Sequence, residues 1–184
     1  MQIPKIYLIF GIVVTLMSTL LLHPNSQALA QEQFLTYENP ESGISILYPS
    51  NWEKLANLDN FVTFTAPPET DTRIYPAALG LKVQELSSQN IPLQEITKVQ
   101  MSDLKRSNPD LNVLESTSTT IAGKPAHKIV FSAIDNEEVE RKAMQLWTVI
   151  GNKAVLITYK ADPDKFSSYL PTIERMIDSF KVIE

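Results

Sequence analysis

The sequence predicts an α+β domain in which a central antiparallel sheet of about six or seven strands is sandwiched by helices. The first observation is at residues 142–160, where two runs rich in β-branched and aromatic residues flank the pair Gly151-Asn152. Such a pair supplies the positive φ angles of a two-residue turn, so we expect a β-hairpin. The second observation is that residues 92–106 and 162–180 carry apolar side chains at helical spacing, which is typical of helices that cover a sheet.

The predicted hairpin is apolar on both of its faces. With Gly151 and Asn152 as the loop, the opposed pairs on one face are Ile150 with Lys153, Thr148 with Val155, Leu146 with Ile157, and Met144 with Tyr159. The other face pairs Trp147 with Leu156 and Val149 with Ala154. Because side chains alternate across a strand, this hairpin needs cover on both sides and belongs at the centre of the sheet.

Five further strands are predicted, so that three strands precede the first helix and four follow it. Alternation and terminating prolines or turns place them at residues 44–48, 61–65, 77–86, 111–122 and 126–134. Residues 31–36 are interpreted as a polar lead and residues 37–43 as a turn, and a second turn is expected at Gly123-Lys124-Pro125. Trp52 is expected to cap the core beside the first strand.

The two helices have recognisable ends. In the first, Leu93, Ile96, Leu104 and either Val99 or Gln100 form the apolar stripe, and Asn108-Pro109 stops the helix. The second begins at Asp162-Pro163, an N-cap followed by proline, and Pro171 is expected to restart or kink it. Its apolar stripe consists of Ile173, Met176, Ile177 and Phe180.

The amino terminus predicts export. Lys5 precedes an uncharged, mostly apolar run at residues 6–22, and Ala28-Leu29-Ala30 has the small-x-small form of a cleavage site. We expect a signal peptide at residues 1–30, cleaved after Ala30, followed by a single domain at residues 31–184. The alternative is an uncleaved anchor, because 17 apolar residues are at the short limit of a spanning helix.

Composition excludes several classes of function. The net charge is −5, from 16 basic and 21 acidic residues, so nucleic acid is not an expected partner. The chain has no cysteine, which removes disulfides, thiolate metal sites and a lipid-modified cysteine. Its five glycines are isolated, and there is no Gly-x-Ser-x-Gly elbow, so neither a phosphate-binding loop nor a serine nucleophile is indicated.

Two groups of residues offer candidate sites. His127 is the one histidine outside the signal segment, and it is either a metal ligand or a hydrogen-bonded strand histidine. The acidic residues at 135–140 and at 162 and 164 offer oxygen ligands, but neither group has the spacing of a twelve-residue calcium loop. A solvated turn is the alternative for both groups, and the hydroxyl run at residues 116–120 is interpreted as an exposed strand.

Two loops are predicted to contact a partner, because connecting segments on a rigid sheet carry function more often than its core does. The first loop, at residues 67–76, contributes Glu69, Asp71 and Arg73. The second, at residues 135–140, contributes Asp135, Glu137 and Glu138.

Three segments carry a family resemblance: TYENPESGISILYPSNWEK from Thr36, ESTSTTIAGKPAHKIVFS from Glu115, and LWTVIGNKAVLITYKADPDKFSSYLPTIERMIDSFKV from Leu146. They resemble the PsbP family of photosystem II extrinsic proteins and their bacterial PsbP-like relatives. The resemblance runs from Phe34 to Val182, and its most specific parts are Gly43 to Trp52 and Tyr169 to Phe180.

The resemblance implies a central antiparallel sheet between helices, in a non-enzymatic protein at the lumenal face of the thylakoid. It implies a role in assembly or stability of photosystem II, with retention of calcium and chloride. The sequence departs from the family pattern at two points: only residues 31–36 precede Tyr37 after the predicted cleavage site, and the lipid-anchor cysteine of the cyanobacterial homologue is missing.

Three functional hypotheses follow. The first is an exported accessory protein, in a thylakoid lumen or periplasm and peripheral to the membrane, that binds photosystem II lumenal subunits. The second is a periplasmic small-ligand or metal-binding module that uses His127 and nearby carboxylates, with calcium as one candidate ion. The third is an enzyme with a diffuse carboxylate site, for which a concave pocket with convergent polar groups is required. The sequence does not give the oligomeric state.

Overall fold

The computed structural model describes residues 32–57, 60–70, 75–88, 91–135 and 138–183, which contain ten strands and two helices. The predicted signal segment and its cleavage site lie outside the described residues. The strands are β1 (Phe34–Asn39), β2 (Ile44–Pro49), β3 (Glu53–Asn57), β4 (Phe61–Thr65), β5 (Ala78–Glu85), β6 (Asn112–Ile121), β7 (Lys124–Ile134), β8 (Glu140–Ile150), β9 (Lys153–Ala161) and β10 (Lys181–Val182), and the helices are α1 (Leu93–Ser107) and α2 (Pro163–Asp178). No helix in these ranges combines the length and the apolar character needed to cross a membrane.

The strands form two antiparallel sheets, which confirms the predicted α+β class. The central sheet has seven strands in the order β3-β4-β5-β9-β8-β7-β6, and a small sheet has the order β1-β2-β10. The predicted strand at residues 44–48 was expected in the central sheet, but as β2 it lies in the small sheet. The described edge position beside β4 is taken instead by β3.

The hairpin is confirmed in its register and position. β8 and β9 pair Ile150 with Lys153, Leu146 with Ile157, and Met144 with Tyr159, as the Gly151-Asn152 loop predicts. Gly151 has a φ of +62°, a value that glycine adopts without a steric penalty. The two strands lie inside the sheet with neighbours on both sides.

Two cores lie on opposite faces of the central sheet. On the face that we call the α2 face, the apolar side chains of the sheet pack against Phe166, Ile173 and Met176 of α2 and against Phe180 just after it. They also pack against Ile44, Ile46 and Tyr48 of the small sheet. On the opposite α1 face, Ile129, Phe131 and Trp147 pack against Leu93, Ile96, Met101 and Leu104 of α1. The predicted two-sided cover is therefore confirmed, with the small sheet as an addition. Trp52 is buried in the first core, as predicted.

Four local predictions were wrong. Residues 34–39 form β1 rather than a lead and a turn, because pairing with β2 orders a segment whose own alternation is weak. β3 was not predicted as a strand, because it is short and charged. The turn after β6 is Ala122-Gly123, with φ angles of +48° and +71°, so that Lys124 and Pro125 already belong to β7. α2 does not restart at Pro171 but continues through it as one helix, whereas a kink at Pro171 stays a prediction.

Burial explains the helix outcomes. In α2, Ile173 and Met176 are fully buried just after Pro171, and this packing holds one helix together despite the missing N–H. Asp162 is the N-cap and accepts from the Asp164 N–H, as predicted. In α1, Val99 is 55% exposed, so the core stripe does not pass through it.

Candidate functional site

The half of the α1 face over β4, β5 and β9 forms an open groove beside α1. Helix α1 packs mainly on β7 and β8, and Leu156 of β9 joins the same core. Neither described helix packs extensively on β4 or β5. The exposed half therefore combines a helix wall with a bare sheet floor. We call this depression the open groove.

Small side chains build the floor of the open groove. The strand register places Gly80 beside Thr158, and Lys160 between Ala78 and Ala143. Directly opposed residues project to the same side of an antiparallel sheet, so these positions share one face. The Phe61 ring lies against Gly80, where an added Cβ would be 3.1 Å from its nearest ring carbon. Short side chains here leave a depression between Phe61 and α1.

The open groove consists of adjoining cavities that share Gln145 and Lys160. One has a volume of about 320 Å³ over the bare strands, and another has about 410 Å³ along α1. A recess of about 110 Å³ lies deeper, next to Arg141. The wall contributed by α1 and its end consists of Gln100, Asp103, Leu104, Ser107 and Asn108. Amide, hydroxyl and ammonium groups thus converge on one concave surface.

The charges in the open groove are unequally compensated. Asp103 forms an ion pair of 2.7 Å with Arg106, and Asp135 forms one of 2.8 Å with Arg141. Lys160 is exposed and forms no ion pair with another described residue. The carboxylates of the open groove are thus paired with arginines, whereas the Lys160 ammonium is not paired within the described ranges. The groove can therefore bind a polar or acidic group next to Lys160.

Arg141 is the structurally important residue that the sequence analysis missed. Its side chain is 13% exposed, its Nε donates to Asp135 at 2.8 Å, and its Nη1 lies 3.9 Å from Asp162 Oδ2. The guanidinium stacks on the Tyr75 ring at 3.9 Å. Its Nη1 and Nη2 are buried and form no hydrogen bond within the part of the chain that the structure describes. An arginine that follows an acidic turn at the start of a strand was the available signal.

Asp135 organises the second predicted contact loop. Besides Arg141, its carboxylate accepts from the Val139 N–H at 3.0 Å. Its placement at one end of the open groove brings this loop next to Lys160. Glu138 is exposed and has a φ of +60°, and Glu137 lies outside the described residues. Asp135 is thus a partly exposed residue held by hydrogen bonds to Arg141 and Val139, and its role in partner contact stays a prediction.

His127 occupies the hydrogen-bonded position that was its alternative interpretation. It lies 2.9 Å from Ser116 Oγ through Nε2 and stacks on Trp147 with a centroid distance of 4.9 Å. Trp147 in turn donates from Nε1 to Thr97 Oγ1 of α1 at 2.9 Å. Among the described ranges, no group of three or more His, Cys, Asp or Glu residues is arranged to hold a metal. His127 as a metal ligand stays a prediction, and so does calcium as a bound ion.

The first predicted contact loop is tied to α2 by Glu69. Its carboxylate accepts from the Tyr169 hydroxyl at 2.9 Å and from Lys165 Nζ at 3.3 Å. These two hydrogen bonds, the Tyr169 bond first, hold the pKa of Glu69 below its ordinary value. Asp71 and Arg73 lie outside the described residues. The contact role of this loop stays a prediction. Glu69 itself forms hydrogen bonds within the protein, to α2.

Comparison with solved structures gives the same fold in several bacterial proteins. Cyanobacterial PsbP from Synechocystis has a TM-score of 0.62 at 17% identity, covering 84% of this chain and 95% of that one. LpqN, which is involved in cell envelope biogenesis of Mycobacterium tuberculosis, has a TM-score of 0.66 at 14% identity and covers 84% of this chain and 92% of that one. A Pseudomonas aeruginosa protein of unknown function has a TM-score of 0.58 at 12% identity, covering 80% of this chain and 95% of its own.

Comparison at the sequence level is more specific. No curated protein matches the sequence. The model of the family described as PsbP-like protein matches residues 10–182, which includes both sheets, both helices and the open groove. The chain belongs to the PsbP-like protein family.

Proposed function

We propose that this chain is a non-enzymatic, exported accessory protein that assists assembly or stability of photosystem II at the lumenal face of the membrane. The observation that carries the proposal is the PsbP-like family match over residues 10–182. The fold that the chain shares with cyanobacterial PsbP supports it. In this role the chain acts by binding lumenal subunits of the complex.

The open groove is the surface that we propose for this binding. Its floor is built on strands of the central sheet, so its shape is fixed before a partner arrives, and little conformational entropy is lost on docking. Lys160 offers an exposed ammonium group next to Gln145 and Thr158. A partner segment with an acidic side chain matches this lining, and the loop at Asp135 extends the same surface.

The experiment is affinity purification of the tagged, exported protein from native host membranes, followed by mass spectrometry. We expect photosystem II subunits at a yield above that of an unrelated exported control protein. Recovery of the protein alone, in the soluble fraction, would contradict the photosystem role.

A second candidate function, a periplasmic module for a small ligand or a metal ion, is favoured by the volume of the open groove. A cavity of about 410 Å³ is within the range of ligand sites, which is about 300–1,000 Å³. The fold shared with LpqN, a protein involved in cell envelope biogenesis, supports considering a role other than photosystem assembly. Thermal melting with calcium, zinc or manganese, and calorimetry with each ion, test the metal version. A melting temperature that is unchanged by all three ions would exclude the metal-binding version.

A further inference from the structure

The free edges of the two sheets differ in how well they are protected against pairing with another chain. Exposed strand edges are normally short, charged or interrupted by proline, because their unpaired N–H and C=O groups template further strands. β3 is five residues long and carries Glu53 and Lys54, and β10 has only two residues. β6, in contrast, is ten residues long, and its one charged side chain is Glu115.

β6 is also left uncovered by the rest of the described fold. α1 packs on β7 and β8, and α2 packs on β2, β8 and β9. Most side chains of β6 are exposed, with Ile121 at its end as the buried exception. Glu115 is neutralised by an ion pair of 2.7 Å with Lys128 on β7. A bulge between Val113 and Glu115 disturbs only the first residues of the strand.

The turn geometry identifies the backbone groups that face outward. In a two-residue hairpin the residues next to the loop, here Ile121 and Lys124, exchange both hydrogen bonds, and the pattern then alternates along the ladder. Thr119 and Thr117 therefore bond to β7. By this alternation Ser116, Ser118 and Thr120 direct their N–H and C=O groups away from the sheet, and outside the strand ladders these groups form no backbone–backbone hydrogen bond with another described residue.

We propose that β6 is a docking edge for β6 of a second copy of this chain, with the two strands antiparallel about a two-fold axis at Ser118. This register pairs Ser118 with itself and Ser116 with Thr120 of the partner subunit, so that all three outward-facing residues of each copy are used. Each such pair exchanges two hydrogen bonds, which gives about six across the interface. The product is a continuous sheet of two central sheets joined edge to edge.

The chemistry of β6 suits a second copy because the edge is self-complementary. In this register hydroxyl side chains face hydroxyl side chains, a favourable cross-strand combination. Glu115 faces Ile121 of the partner subunit, so no two like charges are opposed. An edge that repels its own copy, with a charge near the two-fold axis, is the usual protection, and β6 lacks it.

The test is sedimentation equilibrium on the exported protein, purified from the periplasm of a bacterial host, with the variants Ser118→Pro and Ser118→Ala. We expect a monomer–dimer equilibrium with a Kd of about 10–100 μM, since a single paired edge is a small interface. Ser118→Pro removes an outward N–H that β7 does not use, so we expect it to weaken dimerisation about tenfold or more. Ser118→Ala keeps the backbone donor and is expected to dimerise within about twofold of the native protein.

A second variant protects the test against a folding defect. Ser118→Lys places two ammonium groups beside the two-fold axis and leaves every backbone group intact, so it must also weaken the dimer, and less so at high salt. Circular dichroism and the melting temperature report whether each variant is folded. A native protein that stays monomeric at 1 mM, or a dimer that Ser118→Pro and Ser118→Lys leave unchanged, would overturn the proposal. A monomer that nevertheless binds an unrelated strand peptide through β6 would overturn the second copy as occupant.

Discussion

Glu69 shows how one carboxylate ties a loop to a helix. It lies between β4 and β5 and accepts hydrogen bonds from Tyr169 and Lys165 on α2. Burial raises the pKa of the Tyr169 hydroxyl, and the Glu69 hydrogen bond raises it further. The same bond holds the pKa of Glu69 below 4.5. Both directions follow from one bond in which the phenol donates to an ionised carboxylate.

This hydrogen bond predicts a pH-dependent difference between the native protein and Glu69→Gln. Because the folded-state pKa of Glu69 is lowered, its contribution to stability is present above about pH 4.5 and is lost as pH falls through the lower folded-state value. Urea unfolding from pH 7 down to pH 3 should therefore show the native advantage shrinking in acid. Glu53→Gln, on the exposed edge strand β3, is the control and should give no such trend. An advantage of the native protein that is constant across the range would contradict the linkage.

Tyr159 provides a second prediction at a single side chain. Its ring is fully buried and its hydroxyl donates to the Phe166 carbonyl at 2.7 Å, which joins β9 to the first turn of α2. Tyr159→Phe removes this buried hydrogen bond, and we expect the free energy of unfolding to fall by about 1 kcal/mol in chemical denaturation. Tyr48→Phe, at another buried tyrosine whose hydroxyl forms no hydrogen bond with a described residue, should change it by less than about 0.5 kcal/mol. Equal losses in the two variants would show that the Tyr159 bond contributes nothing specific.

The start of α2 depends on a single cap. Asp162 accepts from the Asp164 N–H at 3.2 Å, and its other oxygen is 3.9 Å from Arg141. Asp162→Ala should lower the free energy of unfolding by about 1 kcal/mol, because an N-cap is worth roughly that amount. Asp162→Asn keeps the capping oxygen and removes the charge, so it should retain most of the stability. If Asn were as damaging as Ala, the ion pair with Arg141 rather than the cap would hold this end of the helix.

Elements with strong local patterns were predicted correctly, and elements defined by their neighbours were not. The β8–β9 register followed from Gly151-Asn152, because a two-residue loop fixes every pair after it. β3 could not be recognised, since Glu53 and Lys54 conceal an edge strand that is ordered only by pairing with β4. β2 was predicted correctly as a strand. No feature of the sequence around it indicates that it pairs with β1 and β10 instead of joining the central sheet.

The open groove could not be predicted, because it is a property of the whole molecule. Gly80 on β5 is far in the sequence from Thr158 and Gln145 on the β8–β9 hairpin, and it meets them only through the β5–β9 pairing. The groove also depends on α1 packing mainly on β7 and β8, so that neither described helix packs extensively on β4 or β5. Of the predicted site residues, Asp135 reaches this groove. His127 instead lies on β7, next to the exposed strand β6, and contacts Trp147.

Lys160 is where the proposed docking surface can be separated from the proposed function. Lys160→Glu reverses the charge at the exposed ammonium of the open groove and leaves the buried α2 face untouched, so the variant should fold like the native protein. We expect recovery of photosystem II subunits in the affinity purification to fall at least about fivefold, since reversing a charge at a complementary contact costs 1 kcal/mol or more by rough estimate. Lys181→Glu introduces the same charge change on β10 of the small sheet, beyond the opposite face of the central sheet, and recovery should stay within about twofold.

If both variants recover the subunits normally, the accessory function stands and the contact surface lies elsewhere. If the native protein recovers no photosystem II subunits, the proposed function is wrong, and the ligand-binding alternative for the groove remains. Calorimetry with small anionic compounds, on the native protein and on Lys160→Glu, would test that alternative.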